Sequence, residues 1–334
     1  MTRLVTKDTL TDCKVKGITG YAKGPNIILI KHLALSLLIL GLTACAGNLI
    51  QIKLKVVDQD GHPVKDAKVV MNFMLSQGSN DFDGLTDKQG EVSARRTSQF
   101  GAMIGIYKDG YYPSNIRRTS RGDQNLTIEL RKKKNPTAMY AKKLTLRFPK
   151  KKTAIGFDFE QADWVTPYGM GNTAHILFYL EGEYVDYDNN NNELRVSFTN
   201  VGDGLIKLNK ATTNSEYLFP YQAPDSPYSR TLALKKSLSS NTKTITTYDS
   251  SALGYIFRVN TKLNSEGEVI HANYGKILGE FFSSTKQNKT KGRENGFVRF
   301  TYYYNPAPND RSLEFDWRQN LFHDLVHEEK VKAP

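Results

Sequence analysis

Cysteine is nearly absent from this sequence, which holds only Cys13 and Cys45 in 334 residues. A disulfide framework needs several cysteines, and a cysteine zinc site needs them at close spacing, so neither is expected here. If the chain is cut before Cys45, a single cysteine remains and no disulfide can form within one chain.

Catalytic sequence motifs are also missing. The chain has no glycine-rich phosphate loop, no G-x-S-x-G turn and no Cys/His nucleophile pair, and none of its six histidines begins a His-x-x-Glu motif. A pair of acid–base carboxylates stays open as a catalytic device, because the members of such a pair meet only in the folded chain.

The charge of the chain is strongly basic, with a formal net charge of +12. Residues 1–44 contribute +4 of this, so the rest of the chain keeps +8. A basic surface attracts nucleic acid, anionic lipid or acidic polysaccharide. No helix or finger motif of a DNA-binding protein accompanies the charge, so we expect a solvated surface and no nucleic-acid partner.

A short apolar run stands directly before Cys45. A Lys-His pair precedes residues 33–42, in which only Ser36 is polar, and the letters LTAC follow. A run of ten mostly apolar residues suits the core of a secretory leader and falls short of the roughly 20 that a membrane-spanning helix needs.

The run and its cysteine together resemble a bacterial lipobox. The resemblance implies cleavage between Ala44 and Cys45 and acylation of Cys45, with diacylglycerol on the thiol and a palmitate-type chain on the new amine. Residues 30–44 would then be a lipoprotein signal peptide, and several acyl chains would hold the protein in a lipid bilayer. The resemblance therefore implies a location in the cell envelope, and the non-Asp residue after Cys45 favours the outer membrane. The alternative is a signal anchor or buried helix over residues 27–49.

Residues 1–29 do not fit an ordinary leader. They are polar and patternless, and several Gly and Pro residues interrupt them. We therefore expect an untranslated or disordered extension, with the true start near Ile30.

The sequence pattern of residues 49–135 predicts short strands separated by tight turns. Apolar and polar residues alternate from Ile50 onward, and Tyr and Phe, which favour strands, number 18 and 16 in the chain. Turns are predicted at Gly61, Gly90 and Gly110, where glycine supplies a positive φ, and Asp87 is placed to cap its own turn. This spacing of strands and turns predicts an antiparallel β-sandwich.

Three pieces of this segment resemble a known family. The letters DQDGHPVKDAKV, GLTDKQGEV and YKDGYYP follow one another in the order seen in the carboxypeptidase regulatory-like domain. The resemblance implies a transthyretin-like fold and a non-catalytic structural or interaction module. It also implies that Val64, Ala67 and Val69 face the core.

Residues 136–334 predict a second β-rich domain of no recognised family. The fold class is therefore all-β, with a transthyretin-like sandwich followed by this domain. Near the end of the sequence, four apolar residues beginning at Leu313 recur at i, i+4, i+8 and i+12, which keeps them near one face of a helix. The first residues of this segment also alternate between apolar and acidic, as in a strand. We therefore predict a strand followed by a short helix or tail. The strands expected in this region are 144–148, 174–180, 194–199, 244–248, 254–260, 275–282 and 297–304.

Two groups of side chains are weak metal candidates. His323 and His327 are four residues apart and could bind one metal from a helix, although such a pair near the end of a chain is commonly solvent-facing. Asp186 and Asp188 begin a run of alternating oxygen side chains like a calcium loop, although the sixth-position glycine is missing and a polar hairpin tip explains the run equally well. We therefore assign neither a metal nor a cofactor.

Several aromatic residues in Pro- and Gly-rich loops could stack on sugars or peptides, or could pack inside the fold. We interpret the protein as an envelope-anchored structural or binding module whose ligand is an envelope protein or polysaccharide. The competing interpretations are a hydrolase of envelope carbohydrate or peptide, with its site in residues 150–320, and a pure spacer. The aromatic residues are Trp164, Tyr168, Tyr217, Tyr221 and Tyr228.

Overall fold

The computed structural model describes residues 47–120, 122–210, 214–225, 227–239, 242–249, 251–286 and 296–334. The chain divides into the units Met1–Gly47 and Asn48–Pro334, and the second holds nearly all the described residues. It is all-β, with 53% strand and no described helix of seven residues or more. Within the same ranges, no helix has the length and apolarity needed to span a bilayer.

The described residues form eighteen strands. They are β1 (Asn48–Val57), β2 (Lys68–Met74), β3 (Ser79–Leu85), β4 (Glu91–Ser98), β5 (Ala102–Tyr107), β6 (Ser114–Arg118), β7 (Gln124–Glu129), β8 (Tyr140–Arg147), β9 (Ile155–Asp158), β10 (Asp163–Trp164), β11 (Ile176–Glu181), β12 (Asn190–Ser197), β13 (Gly204–Asn209), β14 (Thr231–Ser239), β15 (Thr242–Thr246), β16 (Ala252–Leu263), β17 (Val269–Ser284) and β18 (Phe297–Asn305).

The first seven strands form a sandwich of two sheets, ordered β4-β1-β7 and β3-β2-β5-β6. All pairs are antiparallel except β1 with β7, which run parallel. One apolar cluster, drawn from both sheets, fills the space between them, because each strand turns every second side chain inward. Val64, Ala67 and Val69 belong to this cluster and are no more than 4% exposed.

The turns of this sandwich use the predicted residues. Gly61, Gly90 and Gly110 all have positive φ, between 74° and 80°. At Gly90 a side chain is excluded for a second reason, since a Cβ would lie 2.4 Å from the carbonyl oxygen of Val56. The Asp87 carboxylate accepts hydrogen bonds from the backbone N–H groups of residues 89 and 91, at 2.9 and 2.8 Å, and so closes its own turn.

The other eleven strands form a second sandwich, with sheets ordered β10-β9-β11-β12-β14-β15 and β13-β16-β17-β18-β8. Its core is aromatic. Phe157 lies at the centre, and its ring is between 5.4 and 6.2 Å from five other aromatic rings, all in edge-to-face geometry. Edge-to-face rings of this kind hold two sheets in one relative position.

Every strand predicted in residues 136–334 is present, with bounds shifted by a few residues. Four strands of this region were not predicted, namely β9, β10, β13 and β14. In the first sandwich, β3 and β6 were not assigned from the sequence either.

The tail after β18 agrees with its prediction in part. Phe315 forms an isolated bridge with Thr137, and the only helical turns described beyond it are 3-10 turns at Trp317–Gln319 and His327–Glu329. Contacts with distant segments decide this outcome. The Asn320 side chain bonds the backbone of Ala141 at 2.8 and 3.2 Å, and Glu329 pairs with a lysine of β8 at 3.0 Å.

The two sandwiches meet at a buried polar junction centred on Glu314, which is 1% exposed. Its carboxylate accepts the Tyr112 hydroxyl of the first sandwich at 2.9 Å. It also accepts the backbone N–H groups of Lys134 and Asn135, in the connector, at 2.9 and 2.6 Å. The tail, the connector and the first sandwich therefore share one charged group, and Tyr112 also stacks on Tyr217 of the second sandwich at 4.7 Å.

Candidate functional site: the groove at Trp317

The residues predicted for lipid attachment and cleavage, Cys45 and Ala44, lie outside the described residues, as do the predicted signal peptide 30–44 and the extension 1–29. The body of the protein begins immediately beyond them, with β1 at Asn48.

The calcium-loop candidate is a hairpin tip between β11 and β12. Asp186 accepts the backbone N–H groups of Asp188 and Asn189 at 2.9 and 2.7 Å, and the Asn189 side chain donates to the same carboxylate. The hydrogen bond from the Asn189 side chain is the main cause that lowers the pKa of Asp186. The carboxylate is therefore engaged in closing its own loop.

The described residues contain one group of three side chains close enough to share a metal, namely Asp58, Asp60 and His62. The Asp58 carboxylate already accepts the backbone N–H groups of both other residues, and it accepts the Lys132 ammonium at 2.7 Å. That bond from Lys132 is the largest cause of the lowered pKa of Asp58. This arrangement ties the first turn to the connector, and it is a structural one.

The aromatic residues singled out from the sequence mostly pack inside the fold. Trp164 is 4% exposed and donates its indole N–H to the Arg147 carbonyl at 2.8 Å, and Tyr217 is fully buried. Tyr221 donates its hydroxyl to the connector, and the ring of Tyr228 lies under the Arg258 guanidinium at 4.5 Å. Tyr168 is 39% exposed and stands alone among these five as an exposed ring.

The other tryptophan, Trp317, has 49% of its surface exposed. It lies in the first 3-10 turn of the tail, which Asp316 caps by accepting the Arg318 backbone N–H at 3.0 Å. The Arg318 guanidinium lies 5.1 Å from the centre of the indole. The cap and the neighbouring bridge at Phe315 fix the position of the turn, so that the indole projects from a held backbone.

Two adjoining cavities open beside Trp317, and we call them together the Trp317 groove. The first, of about 260 Å³, has Tyr112, Pro113 and Phe315 among its apolar lining residues. The second, of about 450 Å³, is lined by Phe322, Leu325 and other residues of the tail. Trp317, Arg318 and Lys332 line both cavities and so form the ridge between them.

The candidate histidines belong to the second cavity, whose lining includes both His323 and His327. Both side chains are exposed, and they lie on irregular chain and a 3-10 turn in place of the expected helix. They are not part of the three-ligand group found among the described residues. Their place in the structure is the wall of the groove.

The charge of the groove is positive. Four of its lining side chains are basic, and two, Glu216 and Asp316, are acidic. Glu216 accepts the Asn115 side chain at 2.6 Å, and Asp316 is occupied by its cap. None of three groove lysines makes an ion pair within the described part of the chain. Those three are Lys133, Lys330 and Lys332.

The buried carboxylates of the second sandwich do not converge on this groove. Asp158 accepts four backbone N–H groups, and these outweigh the effect of burial, so that its pKa is lowered. Burial raises the pKa of Asp203, which accepts the Thr261 backbone N–H at 2.8 Å. Burial also lowers the pKa of His175, beside Asp158, against the opposing pull of that carboxylate. All three side chains are less than 5% exposed.

Sequence reasoning missed Trp317 as a site residue, because its periodic spacing suggested a helix face. A usable signal was present in the letters FDWRQ, where a tryptophan stands between charged residues.

No family model and no curated protein matches this chain. Solved structures give distant likenesses. A 3-chlorocatechol 1,2-dioxygenase from Rhodococcus opacus 1CP is 13% identical over 26% of this chain and 60% of its own, with a TM-score of 0.24. A DUF3823 family protein from Parabacteroides merdae is 9% identical over 76% and 98% of the two chains, with a TM-score of 0.22. A proposed carbohydrate binding protein from Bacteroides uniformis is 11% identical over 79% and 100%, with a TM-score of 0.19. At TM-scores this low, the likenesses carry no argument about function.

Proposed function

We propose that this chain is a lipid-anchored protein of the cell envelope whose folded body binds an envelope polysaccharide in the Trp317 groove. Residues 49–135 act in this proposal as a carboxypeptidase regulatory-like module that carries the second sandwich. The anchor is acylated Cys45, and the membrane is the outer membrane.

The anchor rests on the sequence. A basic start, a short apolar run and small residues before Cys45 coincide within fifteen positions. The described strands begin three residues after Cys45, so cleavage before this cysteine would leave all of the described residues in the chain.

The binding function rests on one observation, the half-exposed indole of Trp317 between two cavities with a cationic lining. An exposed aromatic face packs against the apolar face of a sugar ring, and fixed cations attract carboxylates. Because three lysines that make no ion pair among the described residues line the groove, and its two carboxylates are engaged by Asn115 and by Arg318, an acidic oligosaccharide is the ligand class that fits best.

The anchor is tested by comparing wild type with Cys45→Ala in cells fed with labelled palmitate. We expect the wild type to take up label and to sediment with membranes, and the variant to lose all label because its acceptor thiol is gone. Wild-type protein without label would contradict the lipoprotein assignment.

The groove is tested by calorimetric titration of the full-length protein with hexameric oligogalacturonate and with neutral maltohexaose. We expect the acidic ligand to bind more tightly, and Trp317→Ala to weaken its binding at least tenfold, which corresponds to about 1.4 kcal/mol.

The matched control for this titration is Tyr187→Ala, which removes an aromatic ring that is 79% exposed at the β11–β12 hairpin tip. Equal affinity of the two variants for oligogalacturonate would remove the groove from the proposal. Lys133→Gln combined with Lys332→Gln is expected to weaken the acidic ligand selectively, because these ammonium groups face the cavities.

A further inference from the structure

The first sandwich has two chemically different ends, and the chain enters at one of them. We call this the entry end. It contains the start of β1, the loop 99–101 after β4 and the β2–β3 turn, because Asn48 pairs with Ser98 and the Met74 carbonyl accepts the backbone N–H groups of residues 99 and 100. The parallel strand β7 also starts here, and the Asp123 carboxylate caps the Gln51 N–H at 2.8 Å.

The entry end exposes large apolar side chains. Leu49 is 55% exposed and Phe100 is 43% exposed, on neighbouring segments of the same end. Exposed apolar side chains at one end of a domain are suited to contact with a second apolar surface.

Four arginines lie on the strands that reach this same end. Arg95 and Arg96 are the partners of Gln51 and Ile50, and Arg117 and Arg118 are the partners of residues 103 and 102, all within four residues of a strand end. None of the four makes an ion pair among the described residues. Arg95 and Arg117 lie on the outer faces of opposite sheets, so cations are present on both sides of the end.

The opposite end of the same sandwich carries charges of both signs. Its turns hold five aspartates and, beside them, four lysines, and Lys132 pairs with Asp58 at 2.7 Å while Lys65 pairs with Asp66 at 3.4 Å. The entry end differs in that its four arginines make no ion pair among the described residues, and the two ends are separated by the ten residues of β1, roughly 30 Å. The four lysines are Lys65, Lys88, Lys108 and Lys132. The five aspartates are Asp58, Asp60, Asp66, Asp87 and Asp109.

Chain length decides what can cover the entry end. Three peptide links join Cys45 to Asn48, and an extended chain spans at most about 3.6 Å per residue, or about 11 Å here. If Cys45 is acylated, as in the proposed function on which this inference rests, β1 must start within that distance of the lipid.

We propose that the entry end lies against the surface of the membrane that holds the anchor, with Leu49 and Phe100 among the lipid headgroups and the four arginines on anionic phospholipid. The acyl chains hold the protein in the membrane, and this contact sets its orientation. Basic side chains near an anionic surface and buried apolar area each add to such binding. The Trp317 groove belongs to the junction at the other end of the sandwich, where it is directed away from the bilayer.

The test uses acylated full-length protein reconstituted in vesicles of phosphatidylethanolamine and phosphatidylglycerol that contain a nitroxide-bearing lipid. A fluorophore is placed on Gln77→Cys, in the β2–β3 turn of the entry end, or on Asp109→Cys, in an exposed turn of the opposite end. We expect the lipid to quench the label at 77 at least about twofold more than the label at 109.

Replacement of the four arginines by Gln is expected to reduce quenching at 77 to the level at 109, and vesicles of neutral phosphatidylcholine are expected to do the same for the wild type. The matched variant replaces four lysines of a groove on the second sandwich by Gln, removes the same charge and is expected to leave quenching unchanged. Those four are Lys151, Lys152, Lys235 and Lys236.

The outcomes separate the two proposals. In one outcome the protein sediments with vesicles, but quenching is equal at 77 and 109, or quenching at 77 does not depend on the arginines or on lipid charge. This outcome overturns the docking proposal and leaves the anchor intact. Protein that neither sediments nor carries acyl chains overturns both. Leu49→Ser with Phe100→Ser gives a second, charge-neutral variant, and we expect it to lose at least half of the quenching difference.

Discussion

A fully buried lysine is the most unusual single residue of this protein. Lys276, on β17, is 0% exposed and donates its ammonium to the Leu313 carbonyl at 2.5 Å. Its nitrogen lies 5.0, 5.1 and 4.6 Å from the ring centres of Tyr217, Phe219 and Tyr303. Burial lowers the pKa of Lys276 to about 7, although the carboxylate of Glu314 opposes the shift. The rings and the carbonyl reduce the cost of a buried cation without removing it.

This residue predicts a pH dependence of stability. Between pH 7 and 10, Lys276 binds a proton in the unfolded chain and has lost it in the folded one, so the free energy of unfolding rises with pH. Relative to Lys276→Met, we expect the wild type to gain on the order of 1 kcal/mol per pH unit over this range, and nothing below pH 6, where both states are protonated.

Urea titrations at pH 6, 7, 8 and 9 measure the effect. The matched variant is Lys262→Met, which removes an exposed lysine from the adjacent strand β16. Parallel curves for wild type and Lys276→Met from pH 7 to pH 9 would show that the buried ammonium stays charged in the folded state.

At the scale of elements, the sequence predicts strands where apolar and polar residues alternate. Most of the seven strands expected in residues 136–334 carry buried apolar residues at alternating positions, as β12 does with Leu194 and Val196. Two of the missed strands lack that signal for physical reasons. All four residues of β9 are buried, so nothing alternates, and β3 (SNDFDGL) is an edge strand of residues that disfavour strands.

The candidate site was harder to predict than the strands. Trp317 and Leu321 are spaced like one face of a helix, but the tail forms only short 3-10 turns, because its residues bond β8 and the connector, which are remote in sequence. Exposure of the indole depends on these contacts. His323 and His327, named from the sequence as weak metal candidates, both line the second cavity, and their surroundings follow from the same tail path.

At the scale of the whole molecule, the two sandwiches are coupled through Glu314. Removing this carboxylate leaves the Tyr112 hydroxyl and two backbone N–H groups without their buried acceptor. Losing one member of a buried charged network costs about 3–5 kcal/mol. We expect Glu314→Ala to lose about 3 kcal/mol and to split a single unfolding transition into two, one for each sandwich.

Differential scanning calorimetry distinguishes these outcomes. Tyr112→Phe deletes one hydrogen bond of the same network and is expected to cost about 1 kcal/mol with the single transition preserved. One unchanged transition in Glu314→Ala would show that the ring contacts alone, chiefly Tyr112 on Tyr217, hold the sandwiches together.

The position of Glu314 in the chain also sets an order of events during synthesis. Both sandwiches are complete in sequence at Asn305, whereas the segment that closes their junction follows that strand. During synthesis, all eighteen described strands therefore emerge before the segment that contains Glu314 and closes the junction. Until this segment has emerged, Tyr112 and Lys276 lack their hydrogen-bond partners Glu314 and Leu313, and Tyr217 beside them is less covered. A product that ends after β18 would therefore expose these aromatic residues, and we expect proteases to degrade it faster than the full-length protein.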